Sequence, residues 1–117
     1  MKEKIVCYGS AIRPQYWMEI WDFFTKTNDI EFDILYAGHV APDYDLPDNL
    51  HHVYSETGAA ECVEIARRIA HASGYKYMLN VTDDYFKHSP HFLDELVKDV
   101  KDAEECGYED YFTCAVF

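Results

Sequence analysis

The sequence is poor in basic side chains. Its 10 lysines and arginines stand against 22 aspartates and glutamates, so the formal net charge of the 117 residues is −12. Nucleic acids and anionic membrane surfaces attract basic proteins, and this balance argues against either as a partner.

The sequence also lacks a long apolar segment. No apolar run approaches the ~18 residues that a membrane span requires. The N-terminal segment 1–4 leads straight into a short apolar stretch, with neither the hydrophobic region nor the cleavage site of a signal peptide. We therefore expect a cytoplasmic protein without a membrane span.

Paired cysteines and the common nucleotide and hydrolase motifs are missing as well. Cys7, Cys62, Cys106 and Cys114 form no C-x-x-C pair and match no zinc spacing. We expect free, mostly buried thiols in a reducing compartment. No G-x-G-x-x-G, Walker loop, G-x-S-x-G or H-E-x-x-H is present.

What the chain does contain is enough apolar material for an ordered core. Hydrophobic residues make up 49% and aromatic residues 16% of the sequence, which excludes disorder. The length suits a single domain over residues 1–117. A chain of this size needs neither disulfides nor a structural metal to fold.

Strand and helix patterns alternate along the sequence. Short apolar segments predict strands at 4–8, 32–37, 51–54, 76–82 and 111–116. Apolar residues at helical spacing predict helices at 14–27, 58–72 and 89–106, the last with Ser89 as N-cap. The order β-α-β-β-α-β-α-β predicts an α/β, three-layer sandwich with a mainly parallel, Rossmann-like sheet.

Polar or glycine-containing clusters follow four of these predicted strands. In open α/β sheets ligands bind beyond the carboxyl ends of the strands, so we expect the four clusters to share one rim. The clusters are Gly9, Ser10 and Arg13; Tyr36, Gly38 and His39; residues 55–58; and residues 82–85.

The adjacent carboxylates Asp83 and Asp84 allow two interpretations. They repel each other unless a cation or a donor lies between them, and hard divalent cations prefer carboxylate oxygens. Equally, either aspartate suits the turn that follows the strand. Arg13 has two interpretations too: it contacts a phosphate or ribose on the ligand rim, or it forms an ion pair with one of the many acids.

Three segments of the sequence resemble family 2 glycosyltransferases of the GT-A type. Residues 10–16, Ser-Ala-Ile-Arg-Pro-Gln-Tyr, are similar to the family's T-Y-N-R-P-x-Y segment after the first strand. Residues 77–84 resemble the strand that leads into the D-x-D motif, and residues 89–93 resemble the S-P-x-x-L start of the next helix. The resemblance extends over essentially the whole chain and implies the family's nucleotide-sugar-binding half.

The resemblance implies specific roles for five residues. Ser10 and Arg13 would contact the nucleotide, and Arg67 (or its neighbour Arg68) would stand near the family's Arg-Asn pair. Asp83 would lie near the ribose, and Asp84 would bind the Mn²⁺ or Mg²⁺ that bridges the diphosphate. The donor would be a nucleotide sugar, with transfer to an acceptor hydroxyl.

The sequence departs from the family pattern at several points. Thr82 replaces the first Asp of D-x-D, and residues 36–37 replace the Asp pair that follows the second strand. The acceptor half with its general base is expected to be absent, which leaves the base unassigned. We therefore keep two alternatives: a donor-half module that acts through nucleotide binding or self-association as a homo-oligomer, and an unrelated Mg²⁺-dependent receiver-like domain.

Overall fold

The structure is a computed structural model that describes residues 2–84 and 90–107. In this part of the chain, one sheet of four parallel strands has the order β3-β2-β1-β4. The elements are β1 (Lys2–Ser10), α1 (Trp17–Thr27), β2 (Phe32–Gly38), β3 (Leu50–Tyr54), α2 (Ala59–Ala72), β4 (Tyr75–Asn80) and α3 (Phe92–Glu105). The α/β class with a parallel sheet is thus confirmed. The strand predicted at 111–116 lies outside the described residues.

Alternate residues of the central strands face opposite layers of helices, because strand side chains alternate between the two faces of a sheet. Ile34 and Tyr36 of β2 belong to a core cluster that also holds side chains of α1 and α3. Leu35 and Ala37 belong to a second cluster with side chains of α2. Every residue of β2 is buried, as expected of a strand covered on both faces.

The connection between β2 and β3 is a loop rather than a helix. Neighbouring parallel strands need a crossover that returns the chain to the opposite end of the sheet. Residues 39–49 provide it without forming a helix or a strand. Side chains hold the loop against the α1 layer: Tyr44 donates a hydrogen bond to the Pro14 carbonyl, and Asn49 accepts one from the Trp21 indole.

The starts of α1 and α3 differ from the predicted boundaries. Residues 14–16 form a 3₁₀ turn before α1 begins at Trp17. Helix α3 begins at Phe92, and its N-cap is His91, with a left-handed φ of 63°. Ser89, the predicted N-cap, lies outside the described residues. The cap comes from another helix, because the Asn28 side chain accepts hydrogen bonds from the first-turn N–H groups of α3. In residues 2–84 and 90–107, no helix is long and apolar enough to cross a membrane.

Candidate functional site

A cleft of about 320 Å³ lies beyond the carboxyl ends of the parallel strands. The chain leaves β1 through α1 toward β2, and it leaves β3 through α2 toward β4 on the other side of β1. Opposite connections of this kind open a crevice at a topological switch point, which is the usual ligand position in open α/β sheets. Four of the five residues assigned from the sequence line the cleft, namely Ser10, Arg13, Asp83 and Asp84.

Close backbone contacts bring the ends of β1 and β4 together. The N–H of Val81 donates to the Tyr8 carbonyl at 2.9 Å, which extends the pairing beyond the end of β4. A Cβ atom at Gly9 would lie 2.6 Å from the Val81 carbonyl oxygen, closer than real Cβ contacts allow. Gly9 therefore permits the approach that carries residues 82–84 to the cleft.

Asp83 is buried and its carboxylate accepts three hydrogen bonds. One oxygen accepts from the backbone N–H of Arg13 at 2.6 Å and from the Trp17 indole N–H at 3.0 Å. The other accepts from Arg13 Nη1 at 3.2 Å. The charge of a buried carboxylate needs such partners, since an unpaired one would be costly. Asp83 thus ties the end of β4 to the segment that precedes α1.

Trp17 is the member of this group that sequence reasoning missed. Its place in the apolar stripe of α1 predicted a core residue, and it is fully buried against Tyr36 with ring centroids 5.1 Å apart. Its indole N–H faces the other way, onto Asp83. The only sequence signal is its position one helical turn after Arg13, which does not by itself indicate a shared partner.

Asp84 and Thr82 present oxygen atoms to the cleft. Asp84 is exposed, in contrast to its neighbour Asp83, and the Thr82 hydroxyl donates a hydrogen bond to its carboxylate. Adjacent aspartates therefore have different surroundings: one is enclosed by donors and the other faces solvent. Among the described residues, no group of three or more His, Cys, Asp or Glu side chains is placed to hold a metal ion.

The N-terminus of α2 forms the opposite wall of the cleft. Thr57, Gly58, Ala59 and Cys62 line it there. Gly58 is the N-cap and supplies no side-chain cap to the first turn. The N–H groups at a helix start carry a partial positive charge that favours anions. Cys62 is buried, and its thiol donates a long hydrogen bond of 3.5 Å to the Thr57 carbonyl.

Arg67 occupies a different place from the other four residues assigned from the sequence. It lies in the second half of α2, and its guanidinium makes two hydrogen bonds to Glu64 at 2.9 and 2.7 Å. Arg68 donates to the same carboxylate at 2.9 Å. These two arginines lower the pKa of Glu64 to about 2, chiefly through their hydrogen bonds.

The cleft combines a cation, a helix N-terminus and an exposed carboxylate. The Arg13 residue lines the cleft, its side chain is 47% exposed, and its guanidinium contacts the buried Asp83. This combination can bind an anionic group and, at Asp84, a cation that accompanies it. No known protein family, curated protein or solved structure matches the chain.

Proposed function

We propose that the cleft binds the diphosphate of a nucleotide sugar and that the chain is a metal-assisted glycosyltransferase of the GT-A type. The observation that carries the proposal is the presence of Arg13 and Asp84 on one cleft at the carboxyl ends of the strands. The guanidinium suits phosphate oxygens, and the exposed carboxylate suits a metal that accompanies them. The resemblance of residues 10–16 and 77–84 to this family supports the same assignment.

The charge of the chain makes the position of Arg13 significant. A protein with a net charge of −12 repels a diphosphate unless positive groups are concentrated at the binding site. Arg13 supplies a planar guanidinium that suits phosphate oxygens. The start of α2 at Gly58 and Ala59 adds backbone N–H groups across the cleft. Ser10, half-buried at the end of β1, is assigned to the nucleotide on the basis of the resemblance.

Asp84 fits a metal that arrives with the ligand rather than one held by the protein alone. Mg²⁺ keeps several waters and is commonly bound by one or two carboxylates together with substrate phosphates. The exposed carboxylate of Asp84, next to the Thr82 hydroxyl, matches that donor set. When bound, Mg²⁺ or Mn²⁺ would neutralise charge on the leaving diphosphate. Arg67 would have to leave Glu64 before it could reach a ligand.

Calorimetric titration with UDP- and GDP-sugars, with and without Mn²⁺, tests this proposal. We expect at least one donor to bind, more tightly with the metal, and to be hydrolysed or transferred. Arg13→Ala and Asp84→Asn should each weaken binding about tenfold or more, because each removes a charge-assisted contact. Lys26→Ala, which removes a cation paired with Asp22 on the surface of α1, is the control and should bind as the wild type does. Absence of binding for every donor, with and without metal, would refute the proposal.

A binding or assembly module is the second candidate, and the exposed apolar side chains favour it. Ile12, Tyr16 and Tyr54 are 44%, 46% and 59% exposed. All three lie at or shortly after the carboxyl end of a strand. If these side chains form one patch, such a patch would mark an interface. Light scattering tests this candidate. A homo-oligomer that becomes a monomer in the double variant Ile12→Ser, Tyr16→Ser supports the binding or assembly module. A wild-type monomer that turns over a nucleotide-sugar donor excludes it.

A further inference from the structure

We propose that Asp83 is a positioning residue that holds the Arg13 guanidinium toward an anion in the cleft and does not itself contact the ligand. The inference rests on the proposed function for its ligand class, an anion of the diphosphate kind. It departs from what the resemblance implies for Asp83, a place near the ribose. The structure gives the carboxylate a different set of partners.

Asp83 and Arg13 differ in how far their side chains are exposed, and this difference indicates different roles. The side chain of Asp83 has no exposed surface, although the residue borders the cleft, and the side chain of Arg13 is 47% exposed. A carboxylate enclosed in this way cannot reach a ribose hydroxyl or a metal without breaking its hydrogen bonds. Arg13 can reach a ligand as it stands.

The geometry also fixes Arg13 at two points. Asp83 accepts its backbone N–H at 2.6 Å and its Nη1 at 3.2 Å, so both the main chain and the tip of the side chain are held by one carboxylate. The Trp17 indole, at 3.0 Å, holds that carboxylate from the core side. A guanidinium has five N–H donors in a rigid fork, and the bond to Asp83 uses one of them. The fork is thereby oriented before a ligand arrives, which reduces the side-chain entropy lost on binding.

A lysine at position 13 keeps the charge but cannot keep this geometry. Its ammonium is a point charge on a flexible stem, without a fork that contacts a carboxylate and a phosphate at once. If Asp83 orients the guanidinium, the advantage of arginine over lysine depends on Asp83. If Asp83 instead contacts the ligand itself, arginine binds the ligand better than lysine by the same factor whether or not Asp83 is present. Because arginine and lysine carry the same charge, the comparison at position 13 reports the geometry of the side chain alone.

The test is a double-mutant cycle with inorganic pyrophosphate as the probe, measured by calorimetry on the wild type, Arg13→Lys, Asp83→Asn and the double variant. With Asp83 present, we expect Arg13→Lys to weaken binding about tenfold, the loss of one charge-assisted hydrogen bond. In the Asp83→Asn background we expect the same change to weaken it less than about twofold. Asp22→Asn removes the same charge from an exposed pair with Lys26 and should leave the tenfold difference intact.

The outcomes separate this inference from the proposed function. A tenfold difference in both backgrounds, or no pyrophosphate binding at all, overturns the positioning role. If the double-mutant cycle gives the predicted result but no nucleotide sugar binds, the positioning role of Asp83 stands and the glycosyltransferase function is refuted. If Asp83→Asn does not fold, NMR of the Arg13 Nη groups in the wild-type protein is the alternative test. The Arg13 signals are assigned by their loss in Arg13→Lys. Hindered rotation about the Cζ–Nη bonds without ligand supports the role, and free rotation overturns it.

Discussion

Asn28, at the end of α1, and Asp94, in the first turn of α3, each accept hydrogen bonds from backbone N–H groups of the other's segment. The Asn28 side-chain oxygen accepts hydrogen bonds from the N–H groups of Leu93 and Asp94, at 2.9 and 3.1 Å. In return, the Asp94 carboxylate accepts from the N–H groups of Asp29 and Ile30, both at 2.8 Å. Each side chain satisfies backbone donors that would otherwise lack partners at the end of a helix or in the turn after it.

Asn28→Ala and Asp94→Ala should each lower the free energy of unfolding by about 1–2 kcal/mol, as loss of a helix cap does. The double variant should lose less than the sum, because the two caps hold the same junction. Urea unfolding measures both quantities. Asp99→Ala, at an exposed position of the same helix, is the matched control and should stay within about 0.5 kcal/mol of the wild type. Equal losses for Asp94→Ala and Asp99→Ala would contradict the reciprocal cap.

Gly9 should tolerate a methyl group less well than Gly58. Gly9→Ala places a Cβ against the backbone of Val81, which cannot move as a flexible side chain would, so we expect a loss of about 1–3 kcal/mol. At Gly58 nothing lies within 4 Å of the position that a Cβ atom would take, so alanine there should cost only what a poorer N-cap residue costs, at most about 1 kcal/mol. Thermal and urea unfolding compare the two. A neutral Gly9→Ala would show that the ends of β1 and β4 are not so close.

The cysteines should differ sharply in their reaction with iodoacetamide. Burial, and then the charge of Asp33, raises the pKa of the Cys7 thiol from 9.0 to about 12. The reactive thiolate is therefore about a thousandfold scarcer at neutral pH than for an ordinary thiol. Cys106 is exposed. Peptide mass mapping of the native protein should find Cys106 modified before Cys62, and Cys7 modified only after unfolding. Early modification of Cys7 would contradict its place in the core.

Tyr75 should contribute to a loss of stability at alkaline pH. Burial first, and then its hydrogen bond to Asp33 and the charge of that carboxylate, raise the pKa of Tyr75 above 10.0. Above the ordinary pKa the unfolded chain releases this proton while the folded chain retains it, so stability present below about pH 10 declines as the pH rises. Urea unfolding between about pH 9 and pH 11 measures the slope. Tyr75→Phe should reduce the slope, and an unchanged slope would contradict the contact between Tyr75 and Asp33.

The sequence was a good guide to the type of element and a weaker guide to where elements begin. Apolar patterns predicted the helices and strands, because burial on one or two faces imposes them, and the alternation of the two predicted the parallel sheet. The Ser-Pro signal predicted Pro90 as the first position of α3, whereas the helix begins at Phe92. The difference arises because Asn28 caps α3 from a distant part of the chain, which no local pattern reports.

For the candidate site too, the sequence predicted one part and only the tertiary structure showed the other. The order of strands and helices was enough to predict that residues after the strands gather at one rim, because parallel strands end on the same side of a sheet. Ser10, Arg13 and Asp84 could be assigned to the cleft on that ground. It took the packed fold to show that Asp83 turns inward to Arg13 and Trp17 while Asp84 faces solvent. Two neighbouring aspartates are chemically alike in sequence, and burial and available donors, set by the packing of α1 against the sheet, make them different.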